Sequence, residues 1–157
     1  MPRPLIQAFC LLGLGLSAAT ALPVRALGEA HLSTSPEVRT EVLVRSDRSW
    51  NGSPLPAYPS GQPQLTLVRI TIPAGITLPK HHHPVITAGV LLQGRLKVVM
   101  ENGQSKLIKA GDGLIEVVNQ IHHGESLGPD PAVIVVMFAG VQGVPTTVEN
   151  QAHEPGL

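Results

Sequence analysis

Glycine and proline punctuate this chain so densely that few helices would fit between them. The 157 residues include 16 Gly and 15 Pro, 31 in all. The apolar stretches they separate are short and rich in β-branched residues, as strands between turns are. Leu65 to Ile72 stops at the turn signal Pro73-Ala74-Gly75. Thr77 to His83, Ala88 to Leu92 and Leu96 to Met100 follow as further strands. Glu101-Asn102-Gly103-Gln104 contains Asn-Gly, the strongest local hairpin signal, and returns the chain through Lys106 to Lys109. Leu114 to Val118 and Ile121 to Ser126 are split by Asn119-Gln120, and Ala132 to Ala139, the most apolar segment, is expected at the centre of a sheet. From Glu37 to Arg45, Val38, Thr40, Val42 and Val44 alternate with Arg39, Glu41, Leu43 and Arg45, which reads as a half-buried edge or interface strand. The chain therefore reads as one all-β domain, an antiparallel sandwich or barrel long enough to bury a single core.

Both ends read differently from this body. Residues 1–26 have the organisation of a secretory signal: Arg3 at the start, an apolar run from Leu5 to Leu16, and Ala19-Thr20-Ala21 as a cleavage site, with a second candidate cut after Ala26. The run is short for spanning a bilayer before Pro23 and Arg25 interrupt it, so no stable membrane anchor is expected after cleavage. The product is expected to be exported, to a periplasm or the extracellular space. The single cysteine, Cys10, lies inside the signal, so the exported chain would rely on packing and on metal instead of disulfides. Residues 27–36 read as a flexible leader, 37–148 as the barrel and 149–157 as a loose tail; the isolated His31 and His153 in these ends are read as solvated. Residues 46–63 hold too many Pro and Gly for regular structure and form a long loop whose Trp50 and Tyr58 are expected to cover the end of the core.

Composition also removes function classes. There are 11 Lys plus Arg against 11 Asp plus Glu, with no basic run, so nucleic acid is not an expected partner. No phosphate-cradling Gly-x4-Gly-Lys-Ser/Thr loop or His-Glu-x-x-His helix occurs. What remains is histidine. Five of the seven fall in two clusters, His81-His82-His83 before Pro84, and His122-His123. On a strand, His81 and His83 share one face and His82 points to the other. On a helix the two would stand roughly 200° apart, and Pro84 disfavours helix just before it. A strand lets two neutral imidazoles converge on a divalent metal.

The spacing Gly75-x5-His81-x-His83-x10-Gly94, then sixteen residues, then Gly111-Asp112-x9-His122, resembles the two sequence blocks of the cupin superfamily over about Glu37 to Val148. The resemblance implies a small antiparallel jelly-roll barrel with a metal in its mouth. It puts His81, His83 and His122 at the three metal-binding histidines, and it also implies a homodimer, to which the edge strand 37–45 would contribute. Four positions depart from the blocks. Thr87 stands where the first block has glutamate; Val117, Asn119 and Ser126 replace the proline, glycine and asparagine of the second. Threonine supplies no anionic oxygen, so three neutral imidazoles would leave a dipositive charge uncompensated, favouring hydroxide or an anionic substrate.

A second reading is that another carboxylate has taken the role. Glu116 shares strand parity with Leu114 and is expected to point inward, as a surrogate ligand, as a partner to a histidine ring N–H, or as a general base and catalytic residue. Glu125 has the opposite parity to His122 and is expected outside, as are His82 and His123. Two functions stay open: an enzyme that uses the metal on dioxygen, water or a carbonyl of a small molecule, and a non-catalytic protein that captures a metal or small ligand. The metal is a divalent transition ion, Zn, Cu, Fe, Mn or Ni. Loading outside the cytoplasm would favour zinc or copper by intrinsic affinity.

Overall fold

Every regular element in the described part of the chain is a strand. The structure, a computed structural model, describes residues 37–150; the proposed signal and leader (1–36) and residues 151–157 lie outside the described residues. Nine strands follow one another: β1 (Pro63–Ile72), β2 (His81–His82), β3 (Ile86–Gln93), β4 (Arg95–Met100), β5 (Ser105–Lys109), β6 (Gly113–Ile115), β7 (His122–Ser126), β8 (Ala132–Val141) and β9 (Val148–Glu149). They build two antiparallel sheets, β1-β8-β3-β6 and β5-β4-β7-β2-β9. This is the all-β, antiparallel arrangement expected from the punctuation of the sequence, and it agrees with the jelly roll that the resemblance implied.

Strand alternation explains where the core lies. On β8, Ala132, Ile134, Val136 and Phe138 are buried, and on β4 so are Leu96, Val98 and Met100. These inward rows meet Ile72, Leu91, Ile108 and Leu114 to make one core between the sheets. Each such side chain taken out of water is worth roughly 1.5–3 kcal/mol. β8, expected at the centre, pairs with β1 over ten residues on one side and with β3 on the other. The Asn-Gly hairpin joins β4 to β5, with Gly103 at φ 82°.

Three expectations need correction. Residues 37–45 form no strand: Val42, Leu43 and Val44 are exposed, and the segment runs past Gly113 without joining a ladder. Leu43 falls on the polar side of the alternation, so neither face is uniformly apolar and nothing drives the segment into the core. Thr77 to His83 is mostly irregular, with strand pairing at His81–His82 and isolated bridges from Thr77 to Glu125 and from His83 to Val118, because Pro79 and Pro84 bracket the histidines and cannot donate to a ladder. Finally, Glu149, expected to open a loose tail, belongs to β9, which pairs with β2 at His81↔Glu149 and His82↔Val148.

Gly94 shows how tightly the two sheets are joined. It turns β3 into β4 at φ 77°, and a Cβ there would sit 2.5 Å from the Pro131 carbonyl oxygen. Gly103 has a similar φ with open space around it. Gly94→Ala is therefore expected to cost about 2–5 kcal/mol, adding overpacking to left-handed strain, against about 1–2 kcal/mol for Gly103→Ala. Urea denaturation of the two variants checks the difference.

Candidate metal centre

The topology brings the two histidine clusters to one point. β2 lies between β7 and β9, and His81 on β2 is registered directly against His122 on β7. His83 follows β2, held by a parallel bridge to Val118. One ring nitrogen from each of His81, His83 and His122 falls within 4.8 Å of the others, and the ring centroids stand 4.6–5.1 Å apart. The triad expected from spacing is thus assembled, at one end of a cavity between the sheets.

Each ring is oriented through its other nitrogen. His81 Nδ1 lies 2.7 Å from the Pro79 carbonyl oxygen, His122 Nδ1 2.8 Å from that of Gln120, and His83 Nδ1 3.0 Å from that of Thr146. A carbonyl oxygen can only accept, so each Nδ1 carries the proton and donates it. That leaves three Nε2 lone pairs for the common point, the arrangement that metal-bound histidines use. Burial holds all three rings neutral by lowering their pKa, that of His83 to about 4. Neutral imidazole is the metal-binding form.

Glu116 points inward, as its parity with Leu114 implied. It is buried, and its Oε2 lies 3.8 Å from His122 Nε2, too far for a hydrogen bond. Desolvation raises its pKa to about 7. β6 runs antiparallel to β3 with Ile115 opposite Ala88, so Glu116 lies across from Thr87 and donates its backbone N–H to the Thr87 carbonyl at 2.9 Å. Thr87 itself is fully buried, with its hydroxyl donated to the Val85 carbonyl at 3.0 Å, and does not line the cavity. A carboxyl group thus stands opposite Thr87, on the residue that follows β6.

The surrounding loops support these groups. Trp50 donates its backbone N–H to Ile115 and packs its side chain on the core; its indole N–H pulls the Glu116 pKa down without making a hydrogen bond of ordinary geometry. Tyr58, expected to share this role, stands exposed. Asn51 donates to Gln120 Oε1, and Gln120 donates to Ser53, which fixes the loop whose carbonyl orients His122. Asn119 takes φ 54° and donates its N–H to the His83 carbonyl. Asparagine is among the few residues that tolerate this left-handed backbone, so it replaces the glycine of the second block without losing the turn.

Sequence reasoning missed the last turn of the described chain. The Thr146 carbonyl orients His83, Thr147 adds its hydroxyl 3.2 Å from the same ring nitrogen, and Thr147 and Glu149 line the cavity mouth. The β-branched run Thr146-Thr147-Val148 was the available signal. His82 and His123 face away as expected: His82 Nδ1 pairs with Asn150, and His123 with Glu125, which also binds Lys97.

A divalent metal fits these residues. His122 Nε2 and Glu116 Oε2 are buried polar atoms with no hydrogen-bond partner, and such orphans cost free energy unless something binds them. An ion held by three Nε2 atoms beside one carboxylate would satisfy both.

Residues 68–138 match the family model of the cupin domain. No curated protein matches the chain. Among solved structures, a conserved protein with a double-stranded β-helix domain from Klebsiella pneumoniae is 22% identical, covering 75% of this chain and 99% of its own, with a TM-score of 0.50. An oxalate oxidase in complex with glycolate is 25% identical over 54% of this chain and 45% of its own (TM-score 0.47). The DMSP lyase DddQ from Ruegeria pomeroyi is 22% identical over 63% and 47% (TM-score 0.46). The chain spans less than half the length of the oxidase and the lyase.

The buried groups give the metal-free protein two opposed pH dependences. The His83 contribution to stability is present above its unfolded value of 6.5 and is lost as the pH falls toward 4. The Glu116 contribution is present below 4.5 and is lost as the pH rises through about 7. Glu116→Gln is therefore expected to gain on the parent chain between those values, levelling off at roughly 1–3 kcal/mol above pH 7. Urea midpoints of the two proteins measured across this range check it.

Proposed function

We propose, of a chain that belongs to the cupin superfamily, that it binds one divalent transition metal through the Nε2 atoms of His81, His83 and His122 and acts on a small molecule held in the adjoining cavity. The observation that carries the reading is the commitment of all three Nδ1–H groups to backbone carbonyls, which leaves three lone pairs aimed at one point. The metal would supply Lewis acidity toward an oxygen of the substrate. The chain's own part is to hold three neutral ligands in place, to exclude water with an apolar cavity wall, and to hold or release a proton at Glu116. A carboxyl group tuned near neutrality is suited to general acid–base work. Non-catalytic capture of a metal or ligand is the second reading. It is supported by the lining of the cavity: among the described residues there, Glu149 is the one carboxylate besides Glu116, and it is exposed.

The test is metal analysis on protein prepared without a metal-affinity column, stripped and reloaded. His81→Ala, His83→Ala and His122→Ala are each expected to weaken binding beyond the roughly 10–100-fold that loss of an outer hydrogen-bond partner costs. His82→Ala and His123→Ala should retain the parent's metal content. Unchanged content in the first three variants overturns the ligand assignment. Turnover that Glu116→Gln abolishes with metal retained supports the enzyme; no turnover of any small-molecule class with any restored metal favours the binder.

Two further features belong to the same reading. Export is supported by the signal-like residues 1–26. A homodimer is supported by the unpaired edge of β1 and by the exposed Leu65, Leu67 and Met137 on the outer face of its sheet. Intact mass of the exported form is expected to place its first residue after Ala21 or Ala26, and sedimentation to give twice the chain mass.

A further inference from the structure

The cavity beside the three histidines has a volume of about 230 Å³. An apolar cavity of about 150 Å³ holds benzene, so this one has room for a ring with a short substituent. Both sheets contribute to its wall, through Ile70, Leu96, Val98, Ile134, Val136 and Phe138. None of these side chains offers a hydrogen bond. A small polar molecule such as a dicarboxylate could satisfy one end at the metal but would strand the other against hydrocarbon, which is costly for an ion.

Charge points the same way. Among the described residues lining the cavity there is no Lys or Arg, and the two ionisable acids are Glu116 at the floor and Glu149 at the mouth. Glu149 is exposed on β9 and registered against His81, so its carboxylate stands beside the histidine end of the cavity. Substrate anions usually meet an arginine or lysine in a site built for them. A divalent ion at the histidines would bring two positive charges, and the carboxylates of Glu116 and Glu149 would balance them, so an anion would find no surplus of positive charge and would meet the Glu149 carboxylate.

We propose that this cavity takes an uncharged ligand, an apolar body of about the size of a substituted benzene with one oxygen donor directed at the histidine end, and that Glu149 discriminates against anions at the entrance. The inference rests on the metal-binding reading above and names what the site accepts.

The test uses the full chain loaded with Co²⁺, whose visible absorption reports ligands at the metal, and four probes: benzyl alcohol, phenol, benzoate and oxalate. The two uncharged probes are expected to bind at least about tenfold more tightly than either anion, because like-charge juxtaposition opposes the latter. Glu149→Lys, which reverses the charge of an exposed side chain, should narrow or reverse that ratio by about tenfold. Val136→Phe, which fills the cavity, should abolish binding of the uncharged probes with Co²⁺ content unchanged. Tighter binding of benzoate or oxalate to the parent chain overturns the proposal, as does a ratio that Glu149→Lys leaves unmoved. Failure of the metal site is read separately, as loss of Co²⁺ from the parent protein before any probe is added.

Discussion

Three backbone carbonyls, of Pro79, Gln120 and Thr146, decide what the histidines can do. An imidazole has two nitrogens of opposite character when neutral, and whichever one donates leaves the other as a lone pair. By accepting from Nδ1 each time, the carbonyls make the three rings equivalent and turn the same atom of each toward the cavity. Two of these bonds are local, reaching back two residues along the chain, so they form wherever those short segments hold their shape. The third spans 63 residues, from His83 to Thr146, and exists only once the C-terminal segment has docked. Completion of the fold and completion of the site are therefore one event at His83.

The second constraint is the carboxylate. The position on β3 that the superfamily gives to glutamate holds Thr87, whose hydroxyl turns back on its own strand. Glu116 lies across the ladder and hydrogen-bonds to the Thr87 carbonyl through its backbone. Antiparallel strands place opposed residues close together, and both partners of an inward-facing pair see the same interior. A negative group can thus pass from one strand to its neighbour and still serve the same space. The exchange is not neutral in energy, because burial of the Glu116 carboxyl raises its pKa.

Much of this was readable from residues alone, and the reasons are specific. His81 and His83 could be placed on one face because strand periodicity is two, and Glu116 followed from Leu114 by the same rule. β8 announced itself as the most apolar segment of the chain, and it lies between β1 and β3 in its sheet. The parts that were not legible depend on pairing across distance. Nothing in Thr147-Val148-Glu149 reveals that its partner is His81-His82, more than sixty residues earlier. Residues 37–45 erred the other way: the alternation is present, but alternation without a uniformly apolar face makes no strand. Pro79 and Pro84 were legible as breakers, yet their effect of shrinking β2 to two residues became clear only with its neighbours in place.

Trp50 is the single tryptophan of the chain, and it sits with its indole against the core and its N–H turned toward Glu116. Indole emission responds to the polarity and charge next to the ring. The fold has in effect installed an intrinsic fluorophore one residue away from the groups that matter most. Occupancy of the histidine cluster and changes of charge at Glu116 can be followed by the protein's own light, without a label and without knowledge of what the natural ligand is.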